Sequence, residues 1–169
     1  MGIKWDALFL NEKKQFEKMT EAERFIYFLL LQYGSPYGWG KENPESSDCS
    51  GAVCLALYAA TGLFIRTTAD DLYRRVFTVV NPAQQGIRAA FFIDGNTGKA
   101  GHVAGLVGDG VILNSQEGGA RVRSLDGISA WFWNQGASTA VRGLDRAALV
   151  RLAGGRYERD QELAAYFSN

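Results

Sequence analysis

The order of segments along the chain predicts an α+β fold: helical stretches, then a meander of short strands, then helical stretches again. Three observations carry this. A capped apolar helix reads over 20–34, and a second, almost wholly apolar helix follows the polar cluster SSD at 46–48. After Asn81-Pro82 the texture changes to short β-rich runs separated by glycine-containing turns.

In the first helix, MTEAERFIYFLLLQYG, Thr20 followed by Glu23 forms a capping box, and Gly34 stands where a left-handed stop is expected. Residues 4–18 lean helical, and 35–47, SPYGWGKENPESS, reads as a loop rich in Gly, Pro and Ser. The second helix runs from about Asp48 to Thr61 and stops at Gly62. Being apolar on nearly every side, it belongs at the centre of the molecule. A short helix is expected around Thr68–Val76. The strands are RAAFFID, GHVAGLVG, GVILNSQ, ARVRSL and TAVRGL, with VGDGV as a hairpin signal. The end of the chain reads as two helical pieces around Gly154-Gly155, the first capped by Asp145. One domain over 1–169 is expected, with 1–20 an N-terminal extension, 21–143 the core and 144–169 a C-terminal helical extension.

Composition removes several classes of function. Lysine plus arginine (18) equals aspartate plus glutamate (18), so no global charge argues for nucleic acid or an anionic membrane. The four apolar residues ALFL near the start are too few for a signal peptide, and Phe25–Leu31 is too short to cross a bilayer. Cys49 and Cys54 are five apart, about 140° around a helix, and do not form a redox pair. With the single histidine, His102, they fall short of a four-ligand zinc site, so neither metal nor cofactor is expected.

Cys49 allows two readings. Free cysteine is among the most buried residue types, and a core role is the ordinary one; Cys54, deep in the apolar helix, fits it. Cys49 instead lies in the first helical turn, where free amides and the helix dipole favour a thiolate, and Ser50-Gly51-Ala52 leave room beside it. Asp48 opposes a thiolate and must therefore point elsewhere, with a substrate ammonium as one candidate partner. A cysteine nucleophile needs a base, and His102 starts the strand HVAGLV at a sheet end. If Gly108-Asp109-Gly110 is a three-residue loop, Gln116 pairs across from His102 and Asn114 lies diagonally beside it. Either amide could fix the imidazole tautomer. Trp131 and Trp133 in SAWFWN read as core and lid rather than as a sugar-stacking surface, and Arg66, Arg74 and Arg75 read as solvated.

PYGWGKENPESSDCSGAV, followed by AAFFID and GHVAGLVGDGVILN, resembles the NlpC-type cell-wall cysteine peptidases, the papain-like peptidoglycan endopeptidases, over roughly residues 21–125. The resemblance implies a papain-like fold with the nucleophile at the start of a buried helix packed on an antiparallel sheet. It implies Cys49 as nucleophile, His102 as base, and Asn114 as the orienting residue where relatives often carry a second histidine. Tyr37 would stabilise the oxyanion with the Cys49 amide. Asp48 and Ser50 would line the substrate pocket and hold an amine, with Trp39 and Gly101 beside them. A depressed thiol pKa is expected of such a pair. The chain departs from the family pattern at QQGIR, where a Pro-Gly-Asp turn is usual, and at Lys41, where a glycine is common.

The implied activity is thiolate hydrolysis of amide bonds in peptidoglycan stem or cross-bridge peptides, that of a cell-wall endopeptidase, with a phage-type lysin as one form of it. Alternatives are an N-acetylmuramoyl-L-alanine amidase, an acyltransferase on the same scaffold, or a catalytically silent wall-binding module. Peptidoglycan peptides are the expected partners, with no nucleic acid, no integral membrane segment and a monomeric state. The protein would be made in the cytoplasm and act on the wall after release or delivery.

Overall fold

The computed structural model describes residues 18–35, 42, 43, 46–80, 86–116 and 118–153. Helix α1 spans Glu21–Leu31, and both halves of its capping box form: Thr20 Oγ1 accepts from the Glu23 amide and Glu23 accepts from the Thr20 amide. Gly34 follows with φ 82°, as its position after the last apolar residues predicts. Within the loop expected over 35–47, β1 (Glu42–Asn43) pairs antiparallel with β2 (Ser46–Ser47).

Helix α2 covers Cys49–Thr61, within a residue of the expected span. Asp48 caps its start by accepting from the Gly51 amide at 2.7 Å, and Gly62 ends it at φ 74°. Its interior residues, Val53 to Leu57 among them, are almost fully enclosed, which explains why apolar side chains appear on every side of it. The short helix expected near Thr68–Val76 is one α-helical turn, α3 (Ala69–Asp71), running into a π-helical turn over Leu72–Val76.

Six strands form one antiparallel sheet in the order β3 (Phe77–Thr78), β8 (Ala137–Leu144), β4 (Arg88–Asp94), β5 (Ala100–Gly108), β6 (Val111–Gln116) and β7 (Gly119–Ser124). The five expected runs are all strands, and β3 adds a short edge. The β5–β6 turn is tighter than expected: Gly108 pairs with Val111 across Asp109-Gly110, and a bulge between Leu106 and Gly108 takes up the difference. Residues Leu125–Trp133 form a helix, α4, capped by Ser124, where the spacing of the aromatics reads as part of a β-rich region. Helix α5 (Arg146–Ala153) starts beneath Asp145, which accepts from the Ala148 amide at 3.1 Å. The second helical piece expected after Gly154 lies outside the described residues.

The sheet divides two cores of unequal size. On one face Phe25, Phe28 and Leu29 of α1 and Leu55 and Leu57 of α2 close over Phe91, Val103 and Leu113. Each such side chain contributes about 1.5–3 kcal/mol by leaving water. Gly105 lets α1 approach here, since a Cβ at that position would overlap the Leu29 side chain and press on Phe25. On the other face Ala90, Phe92, Ala104, Leu106 and Ile112 are covered by Leu125, Ile128 and Phe132 of α4. Among the described residues, no helix is long and apolar enough to cross a membrane.

Candidate active site

Cys49 is the first residue of α2 and packs at the margin of the larger core. Its sulfur receives the backbone amides of Val103, on β5, and of Ser50, in its own first turn. The strand that carries His102 therefore passes directly beside the thiol. His102 itself projects to the opposite face of the sheet, buried at 7% exposure. There it sits against two rings: Phe92 across the β4–β5 pair and Phe132, stacked on it at 5.2 Å and 25°, with Phe132 in turn stacked on Phe92 at 4.4 Å.

The hydrogen bonds around His102 define its proton. Nε2 lies 2.6 Å from Asn114 Oδ1, and the Asn114 amide nitrogen donates to Gln116 Oε1 at 2.7 Å. An amide oxygen only accepts, and the Asn114 NH2 is turned towards Gln116, so Nε2 carries the hydrogen. Nδ1 is left with the lone pair. Of the two amides open on sequence, Asn114 touches the ring, and Gln116 fixes which way Asn114 faces. Cys49 and His102 are not hydrogen-bonded to each other among the described residues.

Electrostatics here differ from the expected lowered thiol. Burial pushes the Cys49 thiol up, Asp48 adds to the rise, and the amides of Val103 and Ser50 together with Arg66 only offset part of it. Burial also holds His102 below its ordinary value, against the pull of Asn114. The resting pair is thus a neutral thiol and a neutral imidazole. Cys54, wholly enclosed, is pushed up to about 11, consistent with its reading as core.

Asp48 has a protein partner that the sequence did not reveal. Both its oxygens accept from Arg66 Nη2, at 3.0 and 2.9 Å, while Arg66 Nη1 donates to Ser50 Oγ and to the Thr67 carbonyl. Arg66 is only 17% exposed. This corrects its reading as a solvated residue: a guanidinium fork fits a carboxylate and a hydroxyl at once, and eighteen residues of separation hide the match. Arg74 and Arg75 are exposed and pair with Asp70 and Asp71 one helical turn earlier. Asp48, Cys49, Ser50 and Arg66 line a pocket of about 410 Å³ that Ala69, Ala100 and Gly101 help to close. Tyr37 and Trp39 lie outside the described residues.

Two aromatic expectations change. Trp131 and Trp133 are 50% and 70% exposed, neither core nor lid over one. The residue between them, Phe132, is the one turned inward onto His102. Sequence reasoning passed over Phe132; its signal was a helical one, with Leu125, Ile128 and Phe132 spaced three and four apart on one face.

A buried helix with cysteine at its start, laid on an antiparallel sheet whose third strand in sequence presents an amide-held histidine, defines an α+β fold of the papain-like kind. Residues 34–142 match the family model of NlpC/P60, and the chain belongs to the NlpC/P60 family. It is similar to the murein DD-endopeptidase MepH of Escherichia coli K12, 29% identical over 126 residues that make up 73% of this chain and 45% of that protein. It is also 29% identical to the probable endopeptidase YafL of the same organism, over 77% of this chain and 54% of YafL. The chain thus spans about half the length of these relatives. The crystal structure of an NlpC/P60 family protein from Bacillus cereus ATCC 10987 superposes with a TM-score of 0.59 at 23% identity, over 73% of this chain and 40% of that one.

Proposed function

We propose that the protein is a cysteine peptidase that hydrolyses amide bonds in the peptide portion of peptidoglycan. The observation that carries this is the junction of α2 and β5: a partly exposed thiol with two backbone amides aimed at its sulfur, one of them from Val103, the residue next in sequence to a histidine whose tautomer is fixed by Asn114. Family membership and the naming of MepH as a murein endopeptidase supply the substrate class.

In this reading Nδ1 of His102 takes the Cys49 proton as the sulfur bonds to the substrate carbonyl carbon. Because both groups rest neutral, proton transfer accompanies attack rather than preceding it. Charge on the carbonyl oxygen is met by amides at the start of α2, each donor worth ~3 kcal/mol, and the family resemblance assigns Tyr37 as a further donor. The C–N bond then breaks, imidazolium protonates the leaving amine, and a water molecule, activated by His102, hydrolyses the thioester. Asp48 and Ser50 bind a substrate amine under one condition: the carboxylate already holds Arg66, so an ammonium must share it or displace the guanidinium.

The test is mass spectrometry of purified muropeptides incubated with the wild-type protein and with Cys49→Ala. A fragment made only by wild type is expected, its mass identifying the bond and separating an endopeptidase from an amidase at the sugar–peptide link. The raised thiol gives some weight to a second reading, a wall-binding module without turnover. In that case both proteins would bind sacculi equally and release nothing.

A further inference from the structure

A second pocket, of about 420 Å³, lies on the α4 face of the sheet and shares only Asn114 with the mechanism above. Its floor follows from register. Asn114 pairs with Arg121, Gln116 with Gly119 and Ile112 with Arg123, so Asn114, Gln116, Arg121 and Arg123 share one face of the β6–β7 hairpin. Gly127, Ile128 and Trp131 of α4 form the opposite wall.

Among the described residues the chemistry of this lining is one-sided. Among its described residues the only charged ones are Arg121 and Arg123, and neither has an acidic partner among the described residues. Arg121 is held in place by one bond from Nη1 to the Ala120 carbonyl and by lying 5.6 Å over the Tyr33 ring, which leaves most of its five N–H groups uncommitted. The Gln116 oxygen is occupied by Asn114, so its NH2 is what it can offer a ligand. Two guanidinium groups and an amide NH2 are all donors, and they call for an acceptor with negative charge. Ile128 and the half-exposed Trp131 add an apolar side that suits a short aliphatic stem.

We propose that this pocket is a second substrate subsite, which takes a carboxylate of the peptide on the leaving-amine side of the scissile bond. The assignment rests on the peptidase reading. The pocket beside the thiol includes Cys49 and Gly101, whereas this one includes Asn114, so the His102 relay stands between them. The acyl half of the substrate stays on the sulfur. The amine half departs from the imidazole that protonates it, towards the arginines.

Two experiments test this. In the first, glutarate, glutaramide and 1,5-diaminopentane are titrated into ¹⁵N-labelled Cys49→Ala protein, with the Trp131 indole and the Arg121 and Arg123 side-chain N–H signals as readout. Glutarate alone is expected to shift them saturably, and Arg123→Gln to weaken it about tenfold, with Arg123→Lys in between. Equal shifts with glutaramide, shifts with the diamine, or glutarate binding indifferent to Arg123→Gln and Arg121→Gln would each overturn the carboxylate assignment. In the second, hydrolysis is compared for substrates differing only in a carboxylate or carboxamide on the leaving fragment. The kcat/KM ratio between them is expected to fall about tenfold in Arg123→Gln. Turnover with an unchanged ratio would sink the subsite and leave the peptidase standing. Arginine-dependent glutarate binding without any turnover would sink the peptidase reading, and the leaving-side role with it.

Discussion

The two faces of the sheet hold their share of the proposed catalytic pair by different means. Cys49 grows from the thick face, where α2 is enclosed nearly all round and the thiol moves only if the helix moves. His102 stands on the thin face, under a single helix that has no fully buried residue of its own. Its ring is placed by two phenylalanines and one amide relay. Position on the thick face comes from bulk burial, which is strong and distributed. On the thin face it comes from a few local contacts, so small changes there should alter chemistry before they alter the fold.

The largest effect is expected on the thick face. Gly105→Ala drives a methyl group into Leu29 and Phe25, and should cost about 3 kcal/mol in chemical denaturation, taking activity with it only through unfolding. On the thin face Asn114→Ala should lower kcat/KM by roughly 10²-fold while denaturation shifts little, because the tautomer is released and the core is not. Asn114→His, which keeps an acceptor nitrogen, should recover much of that loss. Phe132→Ala removes the stacking partner of both His102 and Phe92; about 1–2 kcal/mol of stability and roughly tenfold in rate are expected to go together, with Phe132→Tyr near wild type.

Acid should also find the thin face first. His102 is held neutral below its ordinary value, so the unfolded chain binds the proton more readily. The stability this confers is complete above about pH 6.5 and is lost as pH falls from there through the folded-state value. A thermal melt series between pH 7.5 and 5 should show the decline, and Asn114→Ala, which removes the bond opposing the shift, should steepen it. The enclosed Cys54 does the reverse at high pH: its contribution is intact below 9 and fades as pH rises towards about 11. The smallest effect belongs to Trp133→Ser, which should change stability by less than about 0.5 kcal/mol, since that side chain is mostly in water.

What the sequence made legible were features written in adjacent residues. Thr20 with Glu23, Asp48 before Cys49, Gly62 and Asp145 each mark a helix end, because caps are local hydrogen bonds between near neighbours. The contact of His102 with Asn114 was open to reading because one histidine and two amides on its face leave little choice. The Arg66–Asp48 clamp was not, since nothing local distinguishes an arginine that will be buried from one that will not. Helix α4 was missed because Trp131, Phe132 and Trp133 imitate strand residues, whereas the contacts that settle the matter are with β4 and β6. The lowered thiol was expected from the helix start and from a pairing with histidine; burial, a property of the whole fold, outweighs it.

The bulge between Leu106 and Gly108 has a consequence that is arithmetic rather than chemical. Gly105 and Leu106 pair with Leu113 and Ile112, but Gly108 pairs with Val111, so the ladder changes phase by one residue between the turn and the site. In the phase set at the turn, even-numbered residues of β5 would share a face with odd-numbered residues of β6, and Asn114 would point away from His102. The single odd residue restores the parity that lets them meet. Deleting one residue at the bulge should therefore silence the relay without touching any member of it, and an even-numbered change in the turn should be forgiven. The relay depends on a count as much as on a composition.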